Sequence, residues 1–128
     1  MTDTAPYLAT VVEHYRRPHN QRALAAPTHV HEGVNALCGD RIRMEVHVRD
    51  GTVADIAFAA SACAIATASA SLLTSRAQGL AVHSVLEMDD ESVVSALGAG
   101  VPNGRRACAM LPLRILRHAL ASTAGDGA

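Results

Sequence analysis

A chain of 128 residues with 49% hydrophobic but only 2% aromatic side chains builds its core from aliphatic residues, alanine above all, which points to one domain of closely packed helices over a small sheet. Eleven basic and twelve acidic side chains leave a net charge of -1, which excludes the electrostatic footprint of a nucleic-acid binder. No apolar run approaches a membrane span, and "MTDTAPYLAT" lacks the basic flank and apolar stretch of a signal peptide, so a cytoplasmic protein is expected.

Taken in chain order, Tyr7, Leu8, Val11, Val12 and Tyr15 recur at helical spacing, with Pro6 in the first turn and Pro18 ending the helix. "HNQRALAAP" reads as a polar, proline-bounded connection. From Thr28 to Ala59 the period becomes two. "THVHEGV" is a candidate strand, and Arg41 to Val48 alternates charged and apolar residues over a full strand. Asp50-Gly51 signals a hairpin, and Val53, Ile56 and Phe58 mark a third, less regular strand. A helix follows over "CAIATASASLLTSRAQG", with Ser61 as N-cap and Gly79 as stop. "AVHSVLEM" and "DDESVVSALGAG" predict two short helices, the second opened by acids suited to a helix N-terminus. "VPNGRR" predicts a loop. In "LPLRILRHAL" the stripe Leu113, Leu116, Leu120 predicts a last helix, and Pro112 in its first turn places the start near Met110. A single domain over residues 1–121 and a flexible tail over 122–128 are expected.

In this reading each of the three cysteines stands at an edge of regular structure: Cys38 in a turn between strands, Cys63 at a helix N-terminus, Cys108 just before another helix. An odd cysteine count in a reducing compartment argues against disulfides. A helix N-terminus favours a thiolate, which is both metal ligand and nucleophile, and Asp40 adds a hard oxygen beside Cys38. Three thiolates and one carboxylate match the number of ligands of a tetrahedral zinc site and also suit an iron–sulfur cluster with one weak ligand. Without a CxxC pair, spacing leaves a second reading open: two buried thiols and one incidental surface thiol.

The motifs "HYRRPHN" at 14–20, "CGDRI" at 38–42, "DG" at 50–51, "ACAIATASAS" at 62–71 and "RRACAMLPL" at 105–113 together resemble the U-type iron–sulfur scaffold family (IscU, SufU and the N-terminal part of NifU). The resemblance covers nearly the whole chain. It implies an α+β fold of the SufE/IscU-like kind, a small three-stranded antiparallel sheet covered by helices. It implies a scaffold, more than an enzyme although with sulfurtransferase activity left open, that takes sulfur from a cysteine desulfurase, holds iron or a transient [2Fe–2S] cluster, and passes it to apo iron–sulfur proteins or carrier proteins. Carried over residue by residue, it makes Cys38, Asp40, Cys63 and Cys108 the ligand set for zinc or iron and Cys108 the candidate persulfide acceptor. The IscU branch carries a histidine before its third cysteine and a Leu-Pro-Pro-Val-Lys motif upstream, where this chain has Ala107 and "VPNGR". The SufU branch carries a lysine before that cysteine and an insertion between the second and third. The "CGDRI" and "ASAS" wording makes the chain SufU-like, whereas its length leans towards IscU. A monomer or weak dimer is expected. A zinc-dependent sulfurtransferase that stimulates a desulfurase is the alternative function, and a purely structural zinc module a third.

Arg41, Arg105 and Arg106 are candidates to lie near the thiolates. His29 and His31 share one face of a strand, and the remaining five of the seven histidines have no recognisable partner spacing. Close helix packing accounts for the "ASAS" run, and Met44, Met88 and Met110 fit core positions. No phosphate loop, Ser-His-Asp set or paired carboxylates appear.

Overall fold

The computed structural model describes residues 5–37, 39–98, 101 and 103–124. Three strands, β1 (His29–Asn35), β2 (Asp40–Arg49) and β3 (Thr52–Ser61), follow helix α1 (Ala5–Arg16) and precede α2 (Ala64–Ala77), α3 (Val82–Leu86), α4 (Asp90–Ala96) and α5 (Arg106–Ala124). The sheet is antiparallel in the order β1-β2-β3, the expected α+β architecture.

The β2–β3 hairpin turns at Asp50 and Gly51, whose φ values of 53° and 73° are the paired positive angles of a type I′ turn. Near the turn Val48 faces Val53 while His47 faces Asp55, so β3 carries one extra residue, Ala54. That bulge turns both Val53 and Ile56 into the core and explains the uneven spacing of apolar residues in this strand. Ile42, Met44 and Val46 alternate inward along β2, and Phe58 lies opposite Met44.

Helix α2 is buried nearly all round, from Ile65 to Ala77, because α5 and β3 take one side and α1 the other. Its alanines and serines let neighbours come close, but packing is only part of their role. Ser69 donates to the carbonyl of Ala109 at 2.6 Å. Ser71, fully buried, bonds the ring Nδ1 of His14 at 2.7 Å and accepts from the backbone N–H of His19 at 2.8 Å. Thr74 accepts from Asn20 and donates to the Ala70 carbonyl. Each hydroxyl is therefore satisfied inside the core, where an unpaired one costs about 1–3 kcal/mol. Burial, then the neighbouring His19, push His14 below the usual histidine range.

Three boundaries differ from expectation. The N-cap of α2 is Cys63, not Ser61: Ser61 is still paired in β3, opposite Arg41. Helix α5 begins at Arg106, not near Met110, and holds Pro112 in its interior. Proline there cannot donate to the carbonyl four residues back, that of Cys108, but a short 3₁₀ turn at Asn103–Arg105 leads into the helix and Ser69 braces the adjoining Ala109 carbonyl. The helix also runs to Ala124, three residues into the stretch expected to be tail; residues 125–128 lie outside the described ones. Arg117 fastens the α3–α4 segment to α5 through Asp90 at 3.1 Å and the Met88 carbonyl.

On the outer face of the sheet the Glu45 carboxylate accepts from the Leu24 N–H at 2.8 Å and from Arg43 at 2.9 Å. The Leu24 bond first, then Arg43, hold its pKa below the ordinary 4.5. The ionised form is thus favoured on folding: its stabilisation is complete above pH 4.5 and is lost as pH falls through the lower folded value. Glu45→Gln keeps an acceptor for Leu24 but cannot titrate. The stability gap between native protein and Glu45→Gln should therefore shrink as pH falls from about 7 to about 3, as read from urea midpoints. A gap that widens on acidification would contradict this.

Candidate metal centre

Antiparallel pairing places the start of β2 beside the end of β3, since Arg41 faces Ser61. The β1–β2 turn and the β3–α2 junction therefore lie at one end of the sheet. Turn geometry is set locally: Gly39 has φ 74°, its N–H donates to the Asn35 carbonyl at 2.8 Å, and the Asn35 side chain accepts from Leu37 at 3.1 Å. Leu37 is 97% exposed, so this turn stands out into solvent. Cys38 lies outside the described residues.

Asp40, Cys63 and Cys108 are brought together at this end, with a ligand atom of each within 4.8 Å of the others. Asp40 and Cys108 are buried, at 3% and 2% exposure, and Cys63 is half-buried. Asp40 Oδ1 accepts from the backbone N–H of Cys63 at 2.9 Å. Cys63 Sγ in turn accepts from the Ala66 N–H at 3.4 Å, a side-chain cap of α2. The sulfur thus sits at a helix N-terminus, where backbone donors and the macrodipole complement negative charge. Cys108 is the third residue of α5, so it stands in the first turn rather than before the helix.

Of the three arginines considered, only Arg105 joins this group. Its guanidinium is held above its ordinary value by a hydrogen bond to Cys108, then by the charges of Cys63 and Cys108. Arg41 instead pairs with Glu32 at 3.3 Å, and Arg106 with Glu91 of α4. The residue that sequence reasoning missed is Ser69, which bonds the carbonyl next to Cys108. Its signal was a serine at an interior helix position within "ASAS".

The donor set fits a thiophilic ion. Ligands about 2.3 Å from a tetrahedral zinc lie about 3.8 Å apart, and the candidate ligand atoms here all lie within 4.8 Å of one another. Two sulfurs and a carboxylate favour zinc or an iron–sulfur unit over magnesium or calcium.

A model of the NifU-like N-terminal domain matches residues 6–125 of the chain. The iron–sulfur cluster assembly scaffold protein IscU 1 of Archaeoglobus fulgidus is 31% identical over 114 residues, covering 89% of this chain and 74% of that protein. The zinc-dependent sulfurtransferase SufU of Bacillus subtilis is 33% identical over 82 residues, 64% of this chain and 55% of that one. The crystal structure of a nitrogen-fixing NifU-like protein (N-terminal) from Brucella abortus has the same fold, with a TM-score of 0.79 at 20% identity, over 98% of this chain and 99% of that chain.

Because Cys63 caps α2 through its sulfur, removing the side chain has a cost even without metal. In the presence of a chelator, Cys63→Ala should lose about 0.5–1 kcal/mol in urea unfolding, at the low end for an N-cap, while Cys63→Ser stays within a few tenths of the native protein. Equal loss in both variants would show that the cap contributes nothing.

Proposed function

Since the chain belongs to the NifU-like N-terminal domain family, we propose that it is an iron–sulfur cluster assembly scaffold, accepting sulfur from a cysteine desulfurase and passing an assembled unit to apo-proteins. The observation that carries this reading is the convergence of Asp40, Cys63 and Cys108 at the end of the sheet that bears the exposed turn. With Cys38 from that turn, they make the proposed ligand set.

Each residue has a separate task in this reading. Cys63, fixed by its backbone bond to Asp40 and by its cap on α2, is the stationary ligand. Asp40 is the weak oxygen ligand, and its exchange limits release of the cargo. Cys108 is the sulfur acceptor: its thiolate attacks the outer sulfur of the donor's persulfide, the donor S–S bond breaks, a new S–S bond forms at Cys108, and the donor leaves as a thiolate. Arg105, bonded to Cys108, balances negative charge at that sulfur. Sulfide formation from this persulfide consumes two electrons from a separate reductant.

A second reading is favoured by the Bacillus subtilis relative, whose name states zinc-dependent sulfur transfer. The same residues would hold zinc, which when bound supplies positive charge that keeps the thiols deprotonated. Sulfur would then pass through Cys108 without a cluster being built. Anaerobic reconstitution with ferrous iron and sulfide separates the two. A scaffold acquires a cluster absorbance and transfers it to an apo-ferredoxin, whereas a zinc sulfurtransferase keeps its zinc and only accelerates the desulfurase.

Asp40→Ala is expected to slow cluster transfer to the apo-acceptor several-fold. Asp40→Asn, which retains an oxygen for the Cys63 N–H, separates loss of charge from loss of that bond. Faster transfer from both variants would refute the role assigned to Asp40.

Mass spectrometry after reaction with a desulfurase and cysteine should find the extra sulfur on Cys108, and Cys108→Ser should abolish it. Sulfur found on Cys63 or Cys38 instead would identify a different acceptor.

A further inference from the structure

His14, His19, His29 and His47 each engage a hydroxyl or a backbone carbonyl through Nδ1. His31 and His118 differ. Their rings stack with centroids 5.2 Å apart and planes 19° apart, and among the described residues no hydrogen bond or ion pair engages their nitrogens.

The pairing is a consequence of how α5 lies on β1. His31 and Gly33 are two apart on the strand and so share its helix-facing side. Gly33 has no side chain, and a Cβ there would stand 2.8 Å from Ile115 Cγ1. The helix is therefore seated directly on the strand at this point. One step along the helix face, three residues past Ile115, is His118. One step along the strand face, two residues before Gly33, is His31. The contact at Gly33 thus sets the two imidazoles side by side, His31 half-buried and His118 exposed.

We propose that His31 and His118 form a second metal site, one that takes a first-row divalent transition ion through one nitrogen from each ring. Imidazole pairs select Ni²⁺, Cu²⁺ or Zn²⁺ over the hard alkaline-earth ions. A common ion would be held about 2.0–2.1 Å from one nitrogen of each ring, and the exposed ring of His118 is the one placed to adjust. Two protein ligands leave the other positions to water, so the ion exchanges readily. Ten residues of α5 separate His118 from Cys108, about 15 Å along the helix axis, so the site is independent of the thiolate cluster and of the function proposed for it.

Ni²⁺ is the probe, added to full-length protein whose thiolate centre has first been given one equivalent of Zn²⁺. Paramagnetic broadening in two-dimensional amide NMR spectra should appear first at His31, His118 and their neighbours. Both His118→Gln and His31→Gln should weaken Ni²⁺ binding at least ten-fold, while His83→Gln leaves it unchanged. Should His31→Gln fail to fold, the exposed His118→Gln carries the test alone. Broadening centred on the thiolates or on another histidine, no broadening up to about millimolar Ni²⁺, or native-like binding by the folded variants would each overturn the proposal.

Discussion

The backbone N–H of Cys63 donates to the Asp40 carboxylate at 2.9 Å, and this contact ties the first residue of β2 to the residue that caps α2. Both groups lie where three elements end or begin, and a buried carboxylate there needs partners, because an unpaired charge out of water is costly. The arrangement around it is over-determined. Strand pairing sets Arg41 opposite Ser61, the cap fixes the direction of α2, and α5 enters at the same end with Cys108 in its first turn. The spacing of these three candidate ligand atoms is therefore a property of the sheet and two helices, not of a loop alone.

Helix α2 shows the cost of such convergence and how it is met. A helix buried nearly all round has little amphipathic character, and most of its residues must be small enough for close neighbours. Alanine provides the space and serine and threonine provide the bonds. Ser69 reaches α5, while Ser71 and Thr74 reach the segment after α1. The bond from Ser69 to the Ala109 carbonyl has a particular value, since it braces the turn of α5 that Pro112 deprives of a helical donor. The same helix thus orients one cysteine by its N-terminus and steadies the turn that carries another.

Charge around the centre is distributed by pairing. Arg41 and Arg106 are occupied by Glu32 and Glu91, exposed pairs of the kind that contribute little to stability. Their consequence is selective: they draw two of three neighbouring cations away and leave Arg105 to the thiols. Arg105 and Arg106 are adjacent in the chain, yet one meets sulfur and the other a carboxylate, because consecutive residues at a helix start project in different directions.

Short-range information carried much of this protein. The period-two run through β2, the Asp50-Gly51 turn and the 3.6-residue stripes are written in neighbouring residues, and their conformations follow from local sterics. The candidate ligand residues were legible as motifs, and of these Asp40, Cys63 and Cys108 converge, while Cys38 lies outside the described residues. Other features were decided only by tertiary structure. Whether Ser61 or Cys63 caps α2 depended on how far β3 stays paired with β2. The early start of α5 depended on the 3₁₀ turn before it and on a serine 40 positions away in sequence. The stacking of His31 on His118 depended on Gly33 admitting Ile115. Each is a contact between groups distant in the chain, and such contacts are set by which faces pack together, which no local propensity specifies.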